Sequence, residues 1–206
     1  HGLVDQPVQR QNWYDGIPDS GPHRYQRTLR VIEGVQLRAG QLIELGDRLP
    51  INGEYDPTLL GSALHAVIAT TIAGQQATGR VLRDYGLEKT LSVDAANECA
   101  QRLLAAVTRH FQPVRLLPEY PIHYTNAQGQ IVSGWIDLLI ETADGFVLID
   151  HKASPRARSE WQEIALGYSG QLNAYAQGIT QVTGRPVLGL WIHFGVTGGL
   201  VEVLAQ

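Results

Sequence analysis

The most constraining stretch of the chain is GWIDLLIETADGFVLIDHKAS, Gly134 to Ser154. Two apolar runs flank the turn residues Asp144-Gly145, which is the pattern of a β-hairpin. Each run also carries charge, Asp137 in the first and Asp150 and Lys152 in the second. Charged side chains are almost never fully buried unless they are paired or bind a metal ion. A two-residue Asp-Gly turn sets Asp137 opposite Lys152, and a four-residue loop sets it opposite Asp150. Both registers put the three charges on one face, with Leu139, Phe146 and Leu148. The other face holds Ile136, Leu138, Ile140, Val147 and Ile149. With both faces apolar, the sheet is expected to be covered on both sides, and the charges to sit in a cleft at the edge of one covered face.

The basic residues sharpen this point. Only two of the 16 are lysines, Lys89 and Lys152, and the rest are arginines. Where the chain needs a positive surface it uses Arg, so a Lys within an apolar strand is unlike the rest. Lys is a compact point charge that its surroundings can tune. Two close carboxylates repel, and one Lys offsets only part of that. The remaining need is for a cation, and oxygen ligands suit Mg²⁺ or Mn²⁺. Such an ion beside a Lys is suited to phosphodiester hydrolysis. The plain alternative is a hairpin with its charges on a solvated rim.

The 206 residues, 44% hydrophobic, suffice for one sizeable core. No apolar run approaches the length of a membrane span. A single cysteine, Cys99, excludes an internal disulfide framework and a four-cysteine cluster, and it fits a reducing, cytoplasmic setting. The net charge of −4 argues against a freestanding nucleic-acid binder, though not against an enzyme to which a neighbouring domain delivers DNA. The first residue is His1 and methionine is absent, so the chain is expected to be a domain of a longer protein.

Residues 1–28, rich in Gln, Pro, Gly and Asp, are expected to form a linker-like arm, with Trp13, Tyr14 and Tyr25 docking on another domain. Residues 29–206 form the folded domain. Asp56 and Pro57 open a helix that carries Leu60, Leu64, Val67, Ile68 and Ile72 at helical spacing and leaves at Gly74. Ser92 or Asp94 caps a second. Three strands follow, RLLPEYPIHYT, QIVSGWIDLLIET and GFVLIDHKAS. One helix is expected over 159–184, with Ser159 and Gln162 as a capping box, and two strands close the chain. The class is α/β, a mixed sheet flanked by helices.

Gly-Trp-Ile-Asp followed by Asp-His-Lys resembles the PD-(D/E)XK nuclease signature in its RecB-like form. His65 in LLGSALHAVIA, Glu119 in PEYPI, and Gln171 with Tyr175 in GQLNAYAQG fit the same subgroup, in the same order. The combination is most similar to the C-terminal nuclease domain of AddA-type, UvrD-like helicases. The resemblance implies a restriction-endonuclease-like core in the order αβββαβ and a DNA nuclease, in exonuclease mode, active in repair and recombination. It implies Asp137, Asp150, His65 and the His151 backbone carbonyl as ligands of Mg²⁺ or Mn²⁺, with Lys152 holding the attacking water. Gln171 and Tyr175 would line the DNA path. Glu119 would face the metal or stand behind it, and Tyr168 shares the helix face of Gln171 and Tyr175. Arg156 and Arg158 would reach phosphates. Implied partners are DNA, ATP-dependent helicase domains in the same full-length chain and a second helicase–nuclease subunit. No iron–sulfur cluster is expected. His193 and Trp191 are expected to pack, and Cys99 to be a buried small hydrophobe. The alternative function is an inactive nuclease-like module that binds DNA or serves as a scaffold.

Overall fold

The computed structural model describes residues 37–205 except Gln128. The expected arm with Trp13, Tyr14 and Tyr25 lies outside the described residues.

The described residues open with β1 (Leu37–Glu44), then α1 (Pro57–Ile72), α2 (Thr78–Asp84) and α3 (Val93–Phe111). Asp56 caps α1 by accepting the Thr58 N–H at 2.7 Å, and Gly74, at φ +70°, turns the chain away. Ser92 caps α3 through the Ala95 N–H. The short α2 is additional to the expected helices: it spans 7 residues, too few for its apolar spacing to stand out.

Three strands follow, β2 (Arg115–Thr125), β3 (Ile131–Glu141) and β4 (Phe146–Lys152). The segment expected as one helix over 159–184 is broken. A single 3₁₀ turn (Arg158–Glu160) leads into α4 (Trp161–Gly167), and the chain bends at Tyr168 into α5 (Ser169–Thr183). The Ser159–Gln162 box is replaced by the Glu160 carboxylate, which accepts the Ala157 N–H at 3.2 Å. Strands β5 (Val187–Phe194) and β6 (Gly199–Ala205) end the described chain.

Among the described residues, six strands form one sheet in the order β1-β6-β5-β4-β3-β2. Only β4 and β5 are parallel, so the sheet is mixed. A parallel pair needs a crossover, and α4 and α5 supply it. With α1–α3 on one face and α4–α5 on the other, this is the expected α/β layered architecture, with β1 added in front of the expected order. Leu138, Ile140 and Ile149 pack beneath α1 and α3. Leu139, Leu148 and Ile192 pack beneath α4 and α5. Full burial of each such side chain stabilises by about 1.5–3 kcal/mol. Among the described residues, no helix is long and apolar enough to cross a membrane.

Candidate active site

Leu138 pairs with Ile149, Leu139 with Leu148, Ile140 with Val147 and Glu141 with Phe146. That is the four-residue-loop register, in which the next positions outward, Asp137 and Asp150, are opposite. The Thr142 N–H donates to the Gly145 carbonyl at 2.9 Å, and the Thr142 hydroxyl accepts the Gly145 N–H at 3.1 Å. These bonds fix the loop and therefore the pairing at the far end.

The ladder stops at Leu138 and Ile149. There the Asp137 carboxylate takes over, accepting the His151 N–H at 2.7 Å through Oδ2. Strand β3 also rotates at this point. Ile136 packs beneath α5, whereas Leu138, two residues on, packs beneath α1 and α3. The shared face expected for Ile136 and Leu138 is therefore split, as is the face expected for the three charges. Asp137 turns toward α1, with Oδ1 3.6 Å from His65 Nδ1. Lys152 leans the other way, its Nζ 4.1 Å over the Tyr168 ring and 2.6 Å from Asp150 Oδ2.

His65 reaches this point from α1. Its Nε2 lies 3.1 Å from the His151 carbonyl oxygen, which can only accept, so Nε2 carries a proton. In the neutral ring, Nδ1 is then a lone pair facing Asp137 Oδ1 and, at 3.9 Å, Glu119 Oε1. A lone pair aimed at two carboxylate oxygens calls for a proton or a cation between them. Ligand atoms of His65, Glu119 and Asp137 all lie within 4.8 Å of one another. Glu119 achieves this from the left-handed region, φ +50°, strain that a non-glycine residue adopts only where its surroundings hold it there.

Electrostatics agree with a cation-seeking site. The Asp137 pKa is pushed up to about 6, first by burial and then by the Asp150 charge, against His65, the His151 N–H and Lys152. Asp150 Oδ2 is buried and, despite its ion pair with Lys152, has no aligned hydrogen bond. The converging donors are two carboxylates and one imidazole, without thiolate. Such a set is hard and oxygen-rich. These residues fit a divalent cation.

The remaining expected residues divide. Gln171 Nε2 donates to Tyr175 Oη at 3.2 Å, and both stand on α5 beneath β3. A Cβ at Gly134 would collide with the Tyr175 hydroxyl, so the glycine three residues before Asp137 makes room for that ring. Burial raises the Tyr175 pKa. Gly178 likewise admits Tyr124 and Ile122 of β2 against α5. Arg156 and Arg158 are not drawn to the carboxylates; they pair with Glu160 and Glu44 on an exposed rim. Two clefts of about 530 Å³ lie elsewhere, one beside α5 and β5 and one beside α1, α2 and α3.

The sequence suggests no more than packing for His193. It is buried, and the β4–β5 register seats it beside His151, with Nδ1 to Nδ1 at 3.2 Å. One of these nitrogens must donate and the other accept. Burial pushes the His193 pKa down to about 3 and the His151 pKa well below its usual value, so both rings are neutral. His151 Nε2 is buried without a partner. Only the pairing of two strands 42 residues apart brings these rings together, and no local pattern announces it. Cys99 is inert, its thiol pushed up to about 12 by burial.

Residues 35–195 match the model of the PD-(D/E)XK nuclease superfamily. The chain belongs to that superfamily. This PD-(D/E)XK chain is also similar to an ATP-dependent helicase/nuclease subunit of Pelotomaculum thermopropionicum, 27% identical over 161 residues, 72% of this chain and 12% of that protein. The corresponding helicase/nuclease protein of Levilactobacillus brevis is 28% identical over 160 residues, 73% of this chain and again 12% of the relative. A shorter match of 73 residues, 33% identical, links the chain to its counterpart in Desulforamulus reducens, covering 35% of this chain and 6% of that protein. The chain thus spans about an eighth of the length of the first two relatives.

Proposed function

We propose that the open end of the β3–β4 hairpin cuts DNA phosphodiester bonds with a divalent cation, Mg²⁺ or Mn²⁺. The observation that carries this is the convergence of His65, Glu119 and Asp137 within 4.8 Å, beside the Asp150–Lys152 pair. Asp137, His65 and Glu119 would hold the cation, with Asp150 adding a further oxygen, while the His151 carbonyl, expected as a ligand, instead accepts from the far nitrogen of His65 and orients that ring. When bound, it supplies Lewis acidity that neutralises the phosphoryl oxygens and lowers the pKa of a water.

Lys152 does the rest from the other side. Its ammonium, fixed between Asp150 and the Tyr168 ring, holds the attacking oxygen and the negative charge that grows in the transition state. The water oxygen bonds to phosphorus in line, the bond to the 3′ oxygen breaks, and the proton ends on that oxygen. The products are a 5′-phosphate and a 3′-hydroxyl. Gln171 and Tyr175 stand behind the hairpin on the α5 side, where the Tyr175 ring fills the space left by Gly134 and holds β3 in place for the site.

The names of the relatives support placing this domain in a helicase–nuclease, with ATP-driven helicase domains in the full-length chain. Exonuclease mode, a second subunit and an intracellular setting are part of the same proposal. An inactive DNA-binding or scaffold module is the runner-up. The intact set of ligand and Lys side chains counts against it.

The test is cleavage of end-labelled single-stranded DNA at low salt with Mg²⁺, Mn²⁺ or EDTA. Cation-dependent cutting that falls at least about 10²–10³-fold in both Asp150→Ala and Lys152→Ala is expected. Cutting that survives Asp150→Ala defeats the proposal.

A further inference from the structure

Beyond Asp137, β2 and β3 continue as a ribbon with strict alternation. Ile122, Tyr124, Val132 and Ile136 are buried beneath α5, and the Tyr124 hydroxyl donates to the Ala174 carbonyl at 2.6 Å. The opposite face carries Pro121, His123 and Thr125 on β2, and Trp135, Ser133 and Ile131 on β3, all exposed. An open sheet face is normally polar. Here Trp135 is 55% exposed and Ile131 69%.

Trp135 lies two residues from Asp137, one side-chain step or about 7 Å along the same strand face. Pro121 sits directly across from it and gives the ring a stiff neighbour. Beyond Glu119 this face holds no acid, and its one titratable side chain, His123, is bonded to Ser133 at 2.6 Å. The open aromatic face is therefore continuous with the cation cluster and does not repel phosphate.

We propose that this face binds unpaired DNA, with Trp135 stacking on the base next to the scissile phosphate. The inference rests on the nuclease reading above and adds to it a residue that positions the strand, Trp135. Paired bases stack on one another within a duplex, so a Trp on a flat sheet face can take only an unpaired base. Stacking of this kind tolerates any base. Trp135 is a positioning residue: it fixes the strand, and the cluster does the chemistry.

The test measures binding of fluorescein-labelled oligo-dT by anisotropy, with EDTA present so that nothing is cut. The wild type should bind the single strand more tightly than a blunt duplex of equal length. Trp135→Ala should weaken oligo-dT binding by roughly 5- to 100-fold and abolish that preference, and Trp135→Phe should restore most of it. In the cleavage assay, Trp135→Ala should raise KM more than it lowers kcat. Equal binding by wild type and Trp135→Ala, equal affinity for duplex and single strand, or no detectable oligo-dT binding would each overturn the proposal. So would a wild-type dimer that Trp135→Ala converts to monomer, since the face would then belong to a second copy. If oligo-dT binding depends on Trp135 but cutting survives Asp150→Ala, the stacking face stands and the nuclease reading falls.

Discussion

The two ends of the β3–β4 hairpin are made by the same strands and have opposite characters. At the closed end, Leu139, Ile140, Val147 and Leu148 form an unbroken backbone ladder and bury fully between helices on both faces. At the open end, the ladder stops, and a carboxylate, Asp137, takes the His151 N–H that a backbone carbonyl would have taken. The closed end spends its residues on packing. The open end leaves a buried carboxylate oxygen without an aligned partner and an imidazole nitrogen facing acids. One strand thus passes from packed scaffold to buried charge between Ile149 and Asp150.

Neighbouring substitutions should separate these roles. Asp150→Asn should lower cleavage by about 10²–10³-fold while the melting temperature holds or rises. Ile149→Ala, one residue earlier, should cost about 2–5 kcal/mol of stability and reduce activity only as the protein unfolds. Thermal melts beside single-turnover cleavage check both. Equal loss of stability in the two variants would erase the contrast.

Next is the charge at Asp137. Its folded pKa is about 6 against an ordinary 3.8, so the folded state binds this proton more tightly than the unfolded one. The group's contribution is most favourable below about pH 4, declines as pH rises through 6, and is flat above. Without cation, Asp137→Asn should therefore be more stable than wild type at pH 7, by about 3 kcal/mol at most. The two should converge near pH 4. Melts in EDTA across that range read the effect, and Mn²⁺ should narrow the gap by stabilising only the wild type.

Two smaller effects probe how the open end is held. Gly134→Ala should cost about 1–3 kcal/mol by driving a methyl into the Tyr175 hydroxyl, and Tyr175→Phe should recover part of it. Glu119→Gly releases the strained φ, worth about 1 kcal/mol, but frees the unfolded chain as well, so stability should change little. Calorimetry should nonetheless find weaker Mn²⁺ binding.

Much of this is legible in the sequence because it is written locally. The Asp56 and Ser92 caps, the three central strands and the alternation around Asp144-Gly145 need only near neighbours. The charged positions stand out because they break an apolar pattern. What escapes the sequence depends on distant pairing or on backbone geometry. The rotation at Asp137 moves Ile136 to the other core, and no residue type encodes it. Glu119's positive φ is equally silent. His193 meets His151 only through a parallel strand pair, and the bend at Tyr168 interrupts a helix whose composition runs on.

A cation site at the open end of the hairpin is what the proposed chemistry depends on most. Titration of the metal-free chain with Mn²⁺ in a calorimeter, beside Asp137→Ala, tests it most directly. Saturable binding by the wild type and its loss in the variant are expected. Equal binding by both, or none by either, would contradict the assignment.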